Sequence, residues 1–174
     1  MTRTTNARLA GVTYLVYLAA GIASLVLAGR AHATDVLAVL TSFSALVLGV
    51  TLYAITREQD PDLAMLGLTC RVIEAIPGEG MIYFAVGSTI FAWLLLRGRM
   101  IPIALAWLGV LAGVLLVGIL LLQRAGLFGG AVNWSSSVTW PTSLPMLVFE
   151  VALALWLLIK GVAAPVERLR ATAA

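Results

Sequence analysis

Long apolar runs separated by short polar connectors set the pattern of this chain. Four of them, residues 9–28, 36–56, 103–123 and 146–162, approach or reach the ~20 residues that an α-helix needs to cross a bilayer. Only the last contains charged side chains, Glu150 and Lys160. The middle of the chain reads differently. A charged connector, Arg57-Glu58-Gln59-Asp60-Pro61-Asp62, leads into an apolar segment at 63–76 that Pro61 is well placed to start. Pro77-Gly78-Glu79-Gly80 breaks that segment, and a second one follows at 81–96. At 1.5 Å per residue the two reach only about 21 and 24 Å, short of a ~30 Å hydrocarbon core. The pattern therefore predicts six helical segments, with the third and fourth forming a short hairpin. The longest connector, 124–145, carries Trp134 and Trp140 and suits the headgroup level.

Composition fixes the class. With 61% hydrophobic and 11% charged residues in 174, the chain lies far outside the soluble range, where about a quarter of residues are charged. A soluble fold of this size has too much wetted surface to hide so many apolar side chains. The expectation is an all-α, polytopic membrane helix bundle, one integral domain over 1–174. The first run resembles a signal peptide in its flanking Arg3 and Arg8. Its length and the weak cleavage match after it instead favour a retained span.

The net charge of +3 orients the bundle. If 63–96 is a hairpin, Arg3, Arg8, Arg57, Arg97, Arg99, Lys160, Arg168 and Arg170 share one side, against Arg30 and Arg124 on the other. A single crossing would leave almost no bias. The positive-inside rule thus predicts both termini in the cytoplasm of a bacterial plasma membrane, with 77–80 facing outward. Nucleic acid is excluded as a partner, since no basic helix, zinc-ligand spacing or stacking platform accompanies the charge. Cys70 and His32 are the sole residues of their types, which excludes a disulfide, a cysteine cluster and a bis-histidine haem within one chain. Neither a metal nor a cofactor is expected.

Several stretches together carry a resemblance. They are Ala7-Arg8-Leu9-Ala10-Gly11-Val12-Thr13-Tyr14-Leu15, Cys70-Arg71-Val72-Ile73-Glu74-Ala75, and Phe84-Ala85-Val86-Gly87-Ser88-Thr89. Leu96-Arg97-Gly98-Arg99-Met100-Ile101-Pro102 with Trp107-Leu108-Gly109 follows, and then residues 149–157, which begin Phe149-Glu150-Val151. In this order they resemble the bacterial domain-of-unknown-function family 4386, multi-pass membrane proteins of about six spans. The resemblance implies an internal deletion near 76–81 and brings no established activity with it.

Candidate chemistry concentrates on three buried charges. Arg71 and Glu74 are three apart and share a helix face. They lie about 13 and 18 Å from the helix start near Asp62, and Glu150 lies about 15 Å from Lys160. All three can meet at one level. A lone charge there costs roughly 2.5–3.5 kcal/mol, so an Arg71–Glu150 pair with Glu74 beside it is expected, lining a cavity that opens outward near Glu79. Gly109 and Gly113 form a Gly-x-x-x-Gly pattern for close helix packing.

Two functions fit these residues. One is a sensor or transporter-like module binding a small or lipidic ligand at Arg71, Glu74, Glu150 and Glu79. The other is a non-catalytic partner subunit of a membrane complex, homo- or hetero-oligomeric, using Gly109 and Gly113. The chain has no Gly-x-Ser-x-Gly elbow, His-Glu-x-x-His or paired metal carboxylates, so no catalytic residue is assigned and an enzyme is disfavoured.

Overall fold

The computed structural model describes residues 2–76, 80–128, 132–134 and 136–163. Among these it contains six α-helices: α1 Arg3–Val26, α2 Ala31–Thr56, α3 Pro61–Glu74, α4 Gly80–Arg97, α5 Ile103–Arg124 and α6 Thr139–Ile159. Five of them are long and apolar enough to cross a membrane, the exception being α3 with its 14 residues. The chain is therefore a polytopic helix bundle with a short third helix.

Local chemistry explains most boundaries. The Thr2 hydroxyl accepts from the Thr5 N–H and starts α1. That start precedes the expected one at residue 9, because the polar first turns project beyond the apolar run. The Asp60 carboxylate accepts from the Leu63 N–H at 3.0 Å, and Pro61, which has no N–H to satisfy, occupies the first turn of α3. The largest correction concerns α6. It begins at Thr139, not near residue 146, with Pro145 inside the helix. Proline removes one N–H but does not end a helix whose neighbours hold it. Here Thr142 and Ser143 bond back to carbonyls of the first turn, and the buried Thr139 hydroxyl donates to the Gln123 side chain on α5 at 2.9 Å. The 124–145 connector is shorter than expected by that length.

The helices form a ring. Each packs against its neighbours in sequence, and α6 closes against α1. Small residues let the backbones approach. Gly11 lies against the Ala154 carbonyl and Leu158 of α6, and a Cβ at Gly49 of α2 would sit 2.9 Å from the Cβ of Arg71 on α3. Outward positions are apolar: Val39, Leu111 and Val148 are 70%, 62% and 57% exposed, a surface that only lipid or another apolar partner can cover.

Polar contacts gather at the end of the ring that holds the N-terminus. An Arg3 guanidinium nitrogen donates to the Ile55 carbonyl at 3.0 Å, and Arg97 pairs with Asp60 at 3.3 Å. The Ala163 N–H reaches the Met100 carbonyl at 3.0 Å, fastening the end of α6 to the α4–α5 connector. The opposite end carries the α1–α2 turn, the ends of α3 and α5, and the starts of α4 and α6.

Candidate functional site

Arg71 is the centre of the ring. It sits in the last turn of α3 and is fully buried, a position that no isolated guanidinium tolerates in an apolar interior. Partners from four helices, α3 itself among them, surround it. One terminal nitrogen donates to Glu74 Oε2 at 2.9 Å, one turn away on the same face. The other donates to Ser88 Oγ of α4 at 2.8 Å and lies 3.5 Å from the Tyr14 hydroxyl of α1. That second nitrogen also stands 3.6 Å from Glu150 Oε1 of α6. The guanidinium carbon lies 5.2 Å from the centre of the Phe84 ring and about as close to the rings of Tyr17 and Tyr14, at 5.9 and 6.0 Å. Aromatic faces thus supply part of the solvation that water cannot.

The two carboxylates are held unequally. Glu74 is engaged through both oxygens, since Oε1 accepts from the Tyr17 hydroxyl at 2.6 Å while Oε2 takes the Arg71 bond. Glu150 lies within ion-pair range of Arg71 but beyond hydrogen-bonding distance, and its buried Oε1 has no hydrogen-bond partner among the described residues. A buried carboxylate oxygen without a donor is costly, and Arg71 Nε, also buried, likewise has no hydrogen-bond partner among the described residues.

Above the cluster is a cavity of about 550 Å³. Tyr17, Glu74 and Glu150 lie on its inner side. Its walls are mainly apolar, including Ile22, Leu25, Ile82, Leu120, Met146 and Leu147. Arg124, Asn133, Trp134 and Trp140 line it toward the end of the bundle opposite the N-terminus. Phe84 lies beneath Trp134 in edge contact, with centroids 5.4 Å apart, and stacks on Tyr17 at 6.2 Å. The arrangement combines a pocket of ligand-binding size with a few convergent polar groups.

The structure thus brings Arg71, Glu74 and Glu150 to one place. Glu79 and the tip around Pro77 lie outside the described residues, as do the bases Arg168 and Arg170. Gly109 and Gly113 face inward, toward the Phe149 ring of α6 and the Thr89 side chain of α4. Their pattern is used within the chain. Sequence reasoning did not identify Tyr14, Tyr17, Phe84 or Ser88 as members of the cluster. Tyr14 and Tyr17 had a signal: they are three apart, the same face-sharing interval as Arg71 and Glu74.

Neither a curated protein nor a solved structure matches this chain. A family model does, over residues 78–161, and its description is Domain of unknown function (DUF4386). The match takes in α4 to α6, with Ser88, part of the cavity wall and Glu150, and starts just beyond the end of α3.

Proposed function

Because the chain belongs to the DUF4386 family through residues 78–161, and that family's description names no activity, we propose a function from the polar cluster itself. The protein is a small-ligand-binding membrane module, a sensor or transporter-like unit, whose ligand occupies the cavity over Arg71, Glu74 and Glu150. The observation that carries this reading is the Glu150 carboxylate, 2% exposed, lining a cavity of about 550 Å³ with an oxygen that has no hydrogen-bond partner among the described residues. An ion pair whose sole task is packing satisfies its members and excludes space around them. Here Glu150 lines a pocket while its Oε1, 3.6 Å from Arg71, accepts no hydrogen bond from the described residues.

The same reading places the protein in a bacterial plasma membrane with the N-terminal end of the ring in the cytoplasm. The support is the excess of bases at that end. The cavity then opens toward the outside.

Gly21 of α1 provides the test. It lines the cavity, and a Cβ added there meets nothing within 4 Å, so Gly21→Phe directs a ring into the space from an unobstructed position. Native mass spectrometry of protein extracted gently from membranes is expected to show a bound small molecule on the wild type that is missing from folded Gly21→Phe. An unliganded wild type, or an adduct equally abundant on both, contradicts the proposal.

A further inference from the structure

Two features of the cavity define the chemistry of what it takes. The first is charge. The cluster holds one guanidinium and two carboxylates, and the guanidinium is already matched by Glu74 at 2.9 Å. Glu150 is the surplus anion: its Oε1 stands 3.6 Å from Arg71 and accepts no hydrogen bond from the described residues, so the carboxylate has room for a further donor carrying positive charge. The second is shape. Gly49 of α2 lies level with Leu68 and Arg71, so the earlier part of α2 runs on beyond the end of α3. Ala38, Thr41, Ser42 and Ala45 of α2 line the cavity there, with Gly80, Met81 and Ile82 of α4 across from them. Among the described residues no helix fills the space between α2 and α4 past Ile76, and those two helices scarcely touch. A third helix of full length would occupy that place. Its shortness leaves a mainly apolar slot between α2 and α4.

We propose that the ligand is an amphiphilic cation, an alkyl chain ending in a protonated amine, whose ammonium group donates to Glu150 and whose tail lies in the slot left by the short α3. This rests on the ligand-binding reading above and adds the ligand's class. Ammonium complements the surplus carboxylate, while an alkyl chain complements walls made of Ile22, Leu25, Ile82 and Leu147. A carboxylate or phosphate ligand would place a third anion beside Glu74 and Glu150. The other charged group lining the cavity, Arg124, lies at the last residue of α5, level with the start of α6 through the Gln123–Thr139 bond. Ten residues of α6 separate Trp140 from Glu150, about 15 Å along the axis, which leaves Arg124 at the mouth and Glu150 on the inner side.

The test compares decylamine, decanol and decanoate, equal chains with cationic, neutral and anionic ends, for binding to the protein in nanodiscs of zwitterionic lipid. Wild type is expected to hold decylamine about tenfold or more tighter than decanol, and decanoate weakest, because a charge-assisted hydrogen bond is made by the amine alone. Glu150→Gln, in which the one carboxylate left in the cluster, Glu74, is already matched by Arg71 at 2.9 Å, is expected to bind decylamine and decanol alike. Gly21→Phe is expected to bind neither. Equal binding of decylamine and decanol by the wild type, both abolished by Gly21→Phe, overturns the cationic assignment and leaves the cavity as a ligand site. A preference for decanoate also overturns it, in favour of Arg124 or Arg71 as the recognising group. Binding that Gly21→Phe does not affect, or none of the three bound, overturns the assignment and counts against the cavity reading as well. Both variants are first shown to give a monodisperse, cooperatively melting protein, so that loss of binding is not loss of fold.

Discussion

Arg71 and Glu150 come within 3.6 Å of one another although their helices, α3 and α6, make no backbone contact. They meet across the middle of the ring, with Tyr14 of α1 and Ser88 of α4 at the same guanidinium. A side chain that reaches four helices in this way is a keystone for the ring, and its removal differs from the removal of its partners. Arg71→Met leaves Glu74 and Glu150 buried without their cation, a change expected to cost about 3–5 kcal/mol. The measurement is the melting temperature in detergent, which should fall sharply.

Glu150→Gln is expected to go the other way. It removes the surplus anion and leaves the Arg71–Glu74 bond of 2.9 Å in place. Stability should stay within about 1 kcal/mol of the wild type, or rise, as it does when a poorly compensated buried charge is neutralised. A loss as large as that of Arg71→Met would show that the 3.6 Å contact is a structural requirement.

Tyr17→Phe deletes the hydroxyl that donates to Glu74 at 2.6 Å and changes nothing else in volume. The expected loss is about 1.5–3 kcal/mol, typical of a hydrogen bond to a charged group. Tyr14→Phe should cost less, because its hydroxyl is 3.5 Å from Arg71. The order of the two melting temperatures checks the geometry.

A pair of glycine substitutions separates packed surface from cavity surface. Gly49→Ala sets a methyl group 2.9 Å from the Arg71 Cβ, so either α2 or the arginine must move, at a cost of about 1–3 kcal/mol. Gly21→Ala meets nothing and gains helix propensity, up to about 1 kcal/mol. Thermal denaturation of both in the same detergent should give shifts of opposite sign.

Much of this architecture was legible in the sequence because lipid imposes simple rules. Hydrophobic length marked six segments, and the Pro61 and Pro77–Gly80 punctuation marked the short α3. A charge in an apolar run must find a partner, which is why Arg71, Glu74 and Glu150 point to each other in the sequence alone. The aromatic residues were harder. Tyr14 and Tyr17 are equally at home at a lipid interface, and whether their face turns inward depends on how α1 is rotated within the ring. That rotation is set by contacts such as Gly11 against α6, far apart in sequence. The start of α6 was hidden for another reason: Pro145 and the polar Thr139, Thr142 and Ser143 read as a loop, and only Gln123 across on α5 makes a helical turn of them favourable.

The central claim is that an accessible, ligand-sized space lies over the Glu150 carboxylate, and cysteine protection tests it most directly. In a Cys70→Ser background, Ser42→Cys puts a thiol on the cavity wall, whereas Thr51→Cys puts one in the buried interior of the same helix. Maleimide labelling in membranes is predicted to be fast at position 42 and slow at 51. Gly21→Phe or added decylamine is predicted to suppress the labelling at 42. Labelling at 42 that is as slow as at 51, or that neither the filled cavity nor the ligand alters, would contradict the account.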